Sequence, residues 1–309
     1  MTRKERLDYQ SYKRGYYHLV TNGWQKGKLF HNAAQFAYGM ILMGLLTLRF
    51  GVVIYAFTLM DNHIHIILSG TGKECIKSFD YLRKKISARL VMDGYPPLPP
   101  DYGFKLVPIE NEEQMRSLCI YLARNAYERQ LCIPGGYPWS SDYLHFSLLK
   151  EFITGTPASS LSKRKLERLT CSDIAIPDHW QFHPVLGLLP SSFVNESLFN
   201  RLFNGPKDYE CRLVKDYESF VQIAESVGES TEFSAGEISE IVDGLVQDMY
   251  PGKRLSQLSG DEKGRIVVQL NYTYKLTAAK CASALKIPER VAAQFLRSKD
   301  YGKATTLRG

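Results

Sequence analysis

The chain reads as an α+β protein: an antiparallel sheet with helices packed on one side, followed by an α-helical C-terminal extension. Three observations predict this. Across residues 1–110, β-rich runs and helical periodicities alternate in the order β-α-β-β-α-β. The second and third strands are joined by only Asp61-Asn62, short enough for an antiparallel hairpin. From Asp261 to Leu296 the pattern is helical again, with breaks near Leu276 and at Lys286-Ile287-Pro288.

Each element has a local cause. Tyr16 to Thr21 is a β-rich run closed by the turn signal Asn22-Gly23. Asn32 N-caps a helix that runs to Arg49. Val52 to Met60 forms a strand, and His63 to Leu68 forms its hairpin partner, rich in isoleucine and free of Gly and Pro. Gly70-Thr71-Gly72 ends that strand. Ile76, Phe79, Leu82, Ile86 and Leu90 recur at spacings of three and four, giving a helix over Lys73 to Met92 with one apolar face. Lys73, Lys77, Lys84, Lys85 and Arg89 lie away from that stripe, as a solvated face or one turned to phosphates. Tyr95 to Pro100 carries four prolines and breaks regular structure. Phe104 to Ile109 is a strand. The next helix opens at Asn111, with Gln114 in capping-box spacing, and runs to about Glu128.

Composition narrows the functional classes. The 309 residues suffice for two domains, or for one with an extension, and 44% hydrophobic content provides a real core. A net charge of +7 suits an anionic partner such as nucleic acid. Cys75, Cys119, Cys132, Cys171, Cys211 and Cys281 form no Cys-x-x-Cys pair, which excludes a zinc ribbon and gives no disulfide framework. The charged N-terminus leads into no apolar run, and Phe36 to Phe50 is too short to span a bilayer. We therefore expect a cytoplasmic, nucleoid-associated protein with no membrane partner.

The most informative segment is Met60-Asp61-Asn62-His63-Ile64-His65-Ile66-Ile67-Leu68. Alternate residues of a strand share a face, so His63 and His65 point the same way, roughly 6 to 7 Å apart. Two neutral imidazoles on a rigid strand suit one metal ion; a half-buried strand with a polar face is the plainer alternative. On the helix from Asn111, Met115, Leu118, Cys119, Leu122 and Ala126 form the core stripe. Tyr121 and Asn125 sit on its flank, about 75 to 115° from the centre. Paired histidines, a tyrosine on a later helix and a basic surface are the parts needed to cut a nucleic-acid strand. The phenol is a weak nucleophile at its ordinary pKa of about 10, and a divalent ion on the phosphate compensates.

These segments resemble the single-tyrosine HUH transposases, and most closely the REP-associated tyrosine transposase branch. Leu59 to Leu68 is similar to the family's His-hydrophobic-His motif, with Asp61 where the family carries proline. Tyr121-Leu122-Ala123-Arg124-Asn125-Ala126 matches the catalytic helix at its tyrosine and asparagine and lacks its proline. Tyr137-Pro138-Trp139-Ser140-Ser141-Asp142-Tyr143 resembles the Trp-Ser-Ser element that follows. Tyr17 to Asn22 and Leu29-Phe30 extend the likeness, which covers about residues 14–146. The resemblance implies a ferredoxin-like HUH fold and cleavage of single-stranded or hairpin DNA through a covalent 5′-phosphotyrosine. It makes Tyr121 the nucleophile, His63 and His65 ligands of Mg²⁺ or Mn²⁺, and Asn125 the third protein ligand. It implies a monomer or a homodimer. His18, alone on the first strand, reads as a core or DNA-contacting residue, and Trp139 as a packing anchor.

Residues 1–146 therefore form the nuclease domain, 147–254 a helical or irregular connection, and 255–309 a helical region. Within the last, Thr277 to Leu285 and Glu289 to Arg297 flank a turn, and Arg290, Gln294 and Arg297 share one helix face. That is the layout of a recognition helix, and equally of a plain helical hairpin. With Arg124 and the five cations of the Lys73 helix, they are the candidate DNA contacts. Two other readings compete. One is an HUH replication initiator or relaxase, to whose Tyr-x-x-Lys the Tyr121-x-x-Arg124 pair is a near relative. The other is a catalytically silent DNA-binding protein that keeps the fold.

Overall fold

The computed structural model describes residues 3–21, 28–128, 135–145, 149–215, 223, 235–274 and 276–297. The Asn22-Gly23 turn signal lies outside them. The chain divides into two compact units, Met1–Glu229 and Ser230–Gly309.

The first unit is mixed α/β around a four-stranded antiparallel sheet. After α1 (Arg3–Gln10) come β1 (Gly15–Thr21), α2 (Ala33–Phe50), β2 (Val53–Leu59), β3 (Ile64–Gly70), α3 (Gly72–Met92), β4 (Phe104–Ile109) and α4 (Glu112–Glu128). The strand order is β2-β3-β1-β4. In register, Val20 faces His65, and His18 faces Ile67 on one side and Val107 on the other. Asn32 caps α2 by accepting from the Gln35 amide, and Gly51 ends it in the left-handed region at φ 66°. Thr71 and Glu74 form a capping box at the start of α3.

Alternation along the strands assigns two faces. Leu19, Ile64, Ile66 and Leu68 join α2 and α3 in the main core. Ile67 and Ala56 join α4 in a second core on the opposite face. Helices therefore cover both faces of the sheet, where the sequence pattern placed them on one. The one-sided reading fails because β3 is apolar at Ile67 as well as at Ile66 and Leu68, and a strand apolar on both sides needs two covers.

Residues 149–215 add to the cover on both faces, so they are part of this unit and not a connection. After α5 (Leu149–Phe152), the short strands β5 (Thr156–Pro157), β6 (Gln181–His183) and β7 (Gly187–Leu188) form a small antiparallel sheet, with α6 (Lys163–Thr170) between β5 and β6. Trp180, Phe182 and Leu188 extend the main core. Contact there is close enough to require glycine on both sides. A Cβ at Gly44 would lie 2.2 Å from Leu188 Cδ2, and one at Gly187, held at φ 75°, would lie 2.3 Å from the Ala37 carbonyl oxygen. Helices α7 (Glu196–Leu202) and α8 (Pro206–Lys215) add Leu198, Phe199, Leu202, Tyr209 and Leu213 to the core around α4. Helix α2 is long and apolar enough to cross a membrane; here it lies in the main core, with Met40 to Leu46 buried.

The Tyr137–Tyr143 segment docks on the free edge of β2. Leu59 donates its amide to the Trp139 carbonyl at 2.9 Å, and Ser141 donates its amide to the Phe57 carbonyl at 3.0 Å. Ser141 Oγ accepts from the Phe57 amide at 2.9 Å. The outer strand thereby has its polar groups satisfied and its edge closed. Trp139 stacks on Phe36, centroids 5.1 Å apart, as a packing anchor.

The second unit contains α9 (Ala235–Met249), α10 (Gly260–Tyr274), α11 (Ala278–Leu285) and α12 (Glu289–Arg297). Its core joins Ile238, Val242 and Val246 of α9 to Ile266, Leu270, Cys281, Leu285 and Ala292. Because α9 shares that core, the division falls at 229/230, not at the 254/255 step read from the sequence. The turn between α11 and α12 puts Lys286 in the left-handed region at φ 53°. Arg290, Gln294 and Arg297 are exposed on α12.

Candidate active site

Sequence-distant side chains meet between the sheet and α4. His65 projects from β3 toward α4, and its ring lies 5.3 Å from that of Tyr121 at 88°. His63, just before β3, has its ring 4.8 Å from His65 and perpendicular to it. Asn125, one turn beyond Tyr121, brings Oδ1 to 3.4 Å from His63 Nε2. Tyr121, His63, His65 and Asn125 are therefore one cluster. Thr58 on β2 ties α4 to the sheet by donating to the Leu122 carbonyl at 3.0 Å.

Hydrogen bonding assigns the protons. Asn125 Nδ2 donates to the Tyr121 carbonyl at 3.0 Å, which turns the amide oxygen toward His63. His63 Nδ1 lies 2.6 Å from Asn62 Oδ1, an acceptor, so Nδ1 carries the proton. In the neutral ring the lone pair of His63 Nε2 then faces those of Asn125 Oδ1, whereas in the imidazolium Nε2 would donate to it. At 3.4 Å the two atoms stand somewhat farther apart than the roughly 3.0 Å between adjacent ligands of an octahedral ion with bonds of about 2.1 Å, so an ion between them would draw them together. Among the described residues there is no group of three or more His, Cys, Asp or Glu side chains able to hold a metal. The donor set that fits a cation is mixed instead: two imidazoles and an amide oxygen.

Tyr121 is only 1% exposed and belongs to the core of the α4 face. The flank position read from the helical stripe is thus a buried one. The stripe marks the side packed on the sheet, while α7 and α8 enclose much of the rest, so residues 118 to 126 are buried all round. Arg124, taken from sequence as a DNA contact, is 3% exposed and donates through Nη1 to the Leu213 carbonyl at 2.7 Å. It satisfies a carbonyl in the last turn of α8 and is turned away from solvent. Tyr127, the next tyrosine on α4, has a side chain outside the described residues.

The cations of α3 lie on the far face of the sheet from this cluster. Lys73, Lys77 and Lys84 are exposed. Lys85 donates to the Cys171 carbonyl at 2.8 Å, and Arg89 pairs with Asp93 at 2.8 Å. Helix α3 packs on the main-core face, so its cations do not line the histidine–tyrosine cluster.

Three features were not read from the sequence. His18 is fully buried, in keeping with the core alternative of its sequence reading, but its pairing with His65, Nε2 to Nδ1 at 3.1 Å, was not foreseen. Asp142 is buried and takes hydrogen bonds from the Tyr209 hydroxyl and, at 2.9 Å, from the Gly135 amide. Burial pushes the Asp142 carboxyl up despite those two donors, and burial beside Asp142 pushes the Tyr209 phenol well above its ordinary range. His145 stacks on Phe199 with centroids 3.5 Å apart; burial, helped by Lys150, lowers its pKa to about 3.

No protein-family model matches the chain, and no curated protein does. Among solved structures, one of a REP-associated tyrosine transposase bound to a REP hairpin is similar over 43% of this chain and 80% of that one. The identity is 16% and the TM-score 0.36. A likeness of that extent carries no inference about this chain.

Proposed function

We propose that this protein is a DNA-processing enzyme that cuts single-stranded DNA by attack of Tyr121 on a phosphodiester. The observation that carries the reading is the convergence of His63, His65, Tyr121 and Asn125, with the His63 and Asn125 acceptors facing each other at 3.4 Å. The motif resemblance over residues 14–146 supports it, as does the β-α-β-β-α-β order with strands arranged β2-β3-β1-β4, the pattern of a ferredoxin-like fold.

His63 Nε2, His65 and Asn125 Oδ1 would hold the divalent ion, and two imidazoles favour Mn²⁺ over Mg²⁺. Bound there, such an ion draws charge from a non-bridging phosphate oxygen. The residues of the chain do the rest. Asn62 keeps His63 in the tautomer whose Nε2 lone pair faces Asn125. The Asn125 bond to the Tyr121 carbonyl fixes the amide against the same helical turn that carries the phenol. The Tyr121 oxygen loses its proton and bonds to phosphorus. The 3′ oxygen leaves and takes up a proton, giving a 5′-phosphotyrosine and a free 3′ hydroxyl. The ester linkage is retained, so the strand can be rejoined without ATP. A single strand suits this site because splaying a duplex costs a few kcal/mol.

Cleavage of a hairpin carrying a single-stranded flank, compared with a blunt duplex of the same sequence, tests the reading at fixed salt. The flanked hairpin is cut, chelator stops the reaction and Mn²⁺ restores it. Full cleavage in excess chelator, or equal cutting of the duplex, rejects it. The burial of Tyr121 specifically favours a second reading, a DNA-binding protein that keeps the site without using it. Under that reading no substrate is cut in any metal.

A further inference from the structure

We infer that His18 is a positioning residue for His65: it accepts the Nδ1 proton of His65 and so leaves His65 Nε2 as the lone pair offered to a cation. The inference rests on the metal reading above. Both rings are fully buried, on neighbouring strands β1 and β3, and lie edge to edge within 18° of parallel with centroids 5.3 Å apart. His18 Nε2 and His65 Nδ1 are 3.1 Å apart, a hydrogen-bond length that admits one proton between them. If His18 donated, the His65 proton would sit on Nε2, and that nitrogen could not ligate. If His65 donates, Nε2 is free of its proton and His18 carries its own on Nδ1. The shared proton thus couples the tautomers of the two rings, and only the arrangement with His18 accepting leaves His65 Nε2 able to ligate, the role that an acceptor on the outer nitrogen plays for metal-binding histidines generally.

The spacing is fixed by the sheet. In the antiparallel register Val20 pairs with His65 and His18 with Ile67, so His18 and His65 are diagonal neighbours on the α4 face. The strand geometry that orients His65 toward Tyr121 also places its partner. His63 is held in a similar way through Asn62, so each histidine of the pair has a hydrogen-bond partner at its Nδ1.

The test uses the full chain and Mn²⁺ alone as the probe. His18→Phe keeps a ring of similar shape and removes the acceptor. His18→Gln restores an acceptor near the Nε2 position. Loss of the acceptor weakens Mn²⁺ binding by about 10- to 100-fold, and His18→Gln returns it close to wild type. In the metal-free protein, two-bond ¹H–¹⁵N spectra show His65 protonated on Nδ1 in wild type and in His18→Gln, and a mixture of tautomers in His18→Phe. Electron-spin-echo spectra of the Mn²⁺ form show two coupled imidazoles. Unfolding curves establish that both variants are folded, and the tautomer of His65 is a readout that a packing role alone would not move. Wild-type Mn²⁺ affinity and an unchanged His65 tautomer in His18→Phe overturn the inference while leaving the metal reading intact. Three coupled imidazoles make His18 a ligand, which also overturns it. Wild-type protein that binds no Mn²⁺ rejects the metal reading and the inference with it.

Discussion

Tyr121→Phe separates chemistry from packing. The substitution keeps the buried ring and deletes one hydroxyl, so stability should fall by about 1 kcal/mol, while cleavage should be lost altogether. Denaturant unfolding and a cleavage assay on the same preparation check both halves. His145 gives a pH signature. Its folded pKa of about 3 lies below its ordinary 6.5, so the folded state holds it neutral. Stability from this group is present above pH 6.5 and is lost as pH falls from 6.5 toward 3, with a slope of at most about 1.4 kcal/mol per pH unit. His145→Phe should flatten that part of a stability–pH profile; an unchanged slope would assign the acid sensitivity to other groups. His63 and His65 were legible in the sequence because their spacing is local to one segment. His18 as the partner of His65 was not, because the contact depends on the register of two strands joined through a helix and a hairpin. Asp142 was missed for a similar reason: its partner Tyr209 is on α8, and no local pattern links the two.

At the scale of elements, periodicity placed α2, α3, α4 and the four strands of the main sheet close to where they stand, since each has its own apolar repeat and its own stop signals. It did not show how many sides of an element are covered. Helix α4 has a clear stripe, yet α7 and α8 bury its remaining faces, and their own short apolar patterns give no hint of the target. Arg124 is the test of that enclosure. Arg124→Ala leaves the Leu213 carbonyl without its charged donor and should destabilise the fold by roughly 1.5–3 kcal/mol. A purely DNA-contacting arginine would leave the unfolding midpoint unchanged. On the other face, Gly44→Ala drives a methyl into Leu188 and should destabilise by about 1–3 kcal/mol, measurable by thermal unfolding. A neutral result would mean that the β5–β7 sheet is less closely seated on α2 than the structure has it.

At the scale of the whole molecule, the chain has two compact units with separate cores. The Met1–Glu229 unit holds the histidine–tyrosine cluster, and the Ser230–Gly309 unit presents Arg290, Gln294 and Arg297 on an exposed helix. We expect the second unit to add DNA affinity without taking part in bond breaking. Changing Arg290 and Arg297 to alanine should each lower the slope of log affinity against log salt by about 1, with single-turnover cleavage unaffected at saturating protein. Loss of the chemical step would place those arginines in the reaction itself. The proposed joining of Tyr121 to DNA is measured directly by the mass of the peptide that carries the adduct. Wild-type protein, Mn²⁺ and a single-stranded substrate labelled 3′ of the cut should give a denaturation-resistant protein–DNA band whose digest places the nucleotide on Tyr121, and Tyr121→Phe should give no band. An adduct on another residue, or cleaved DNA with no covalent species, would contradict the account.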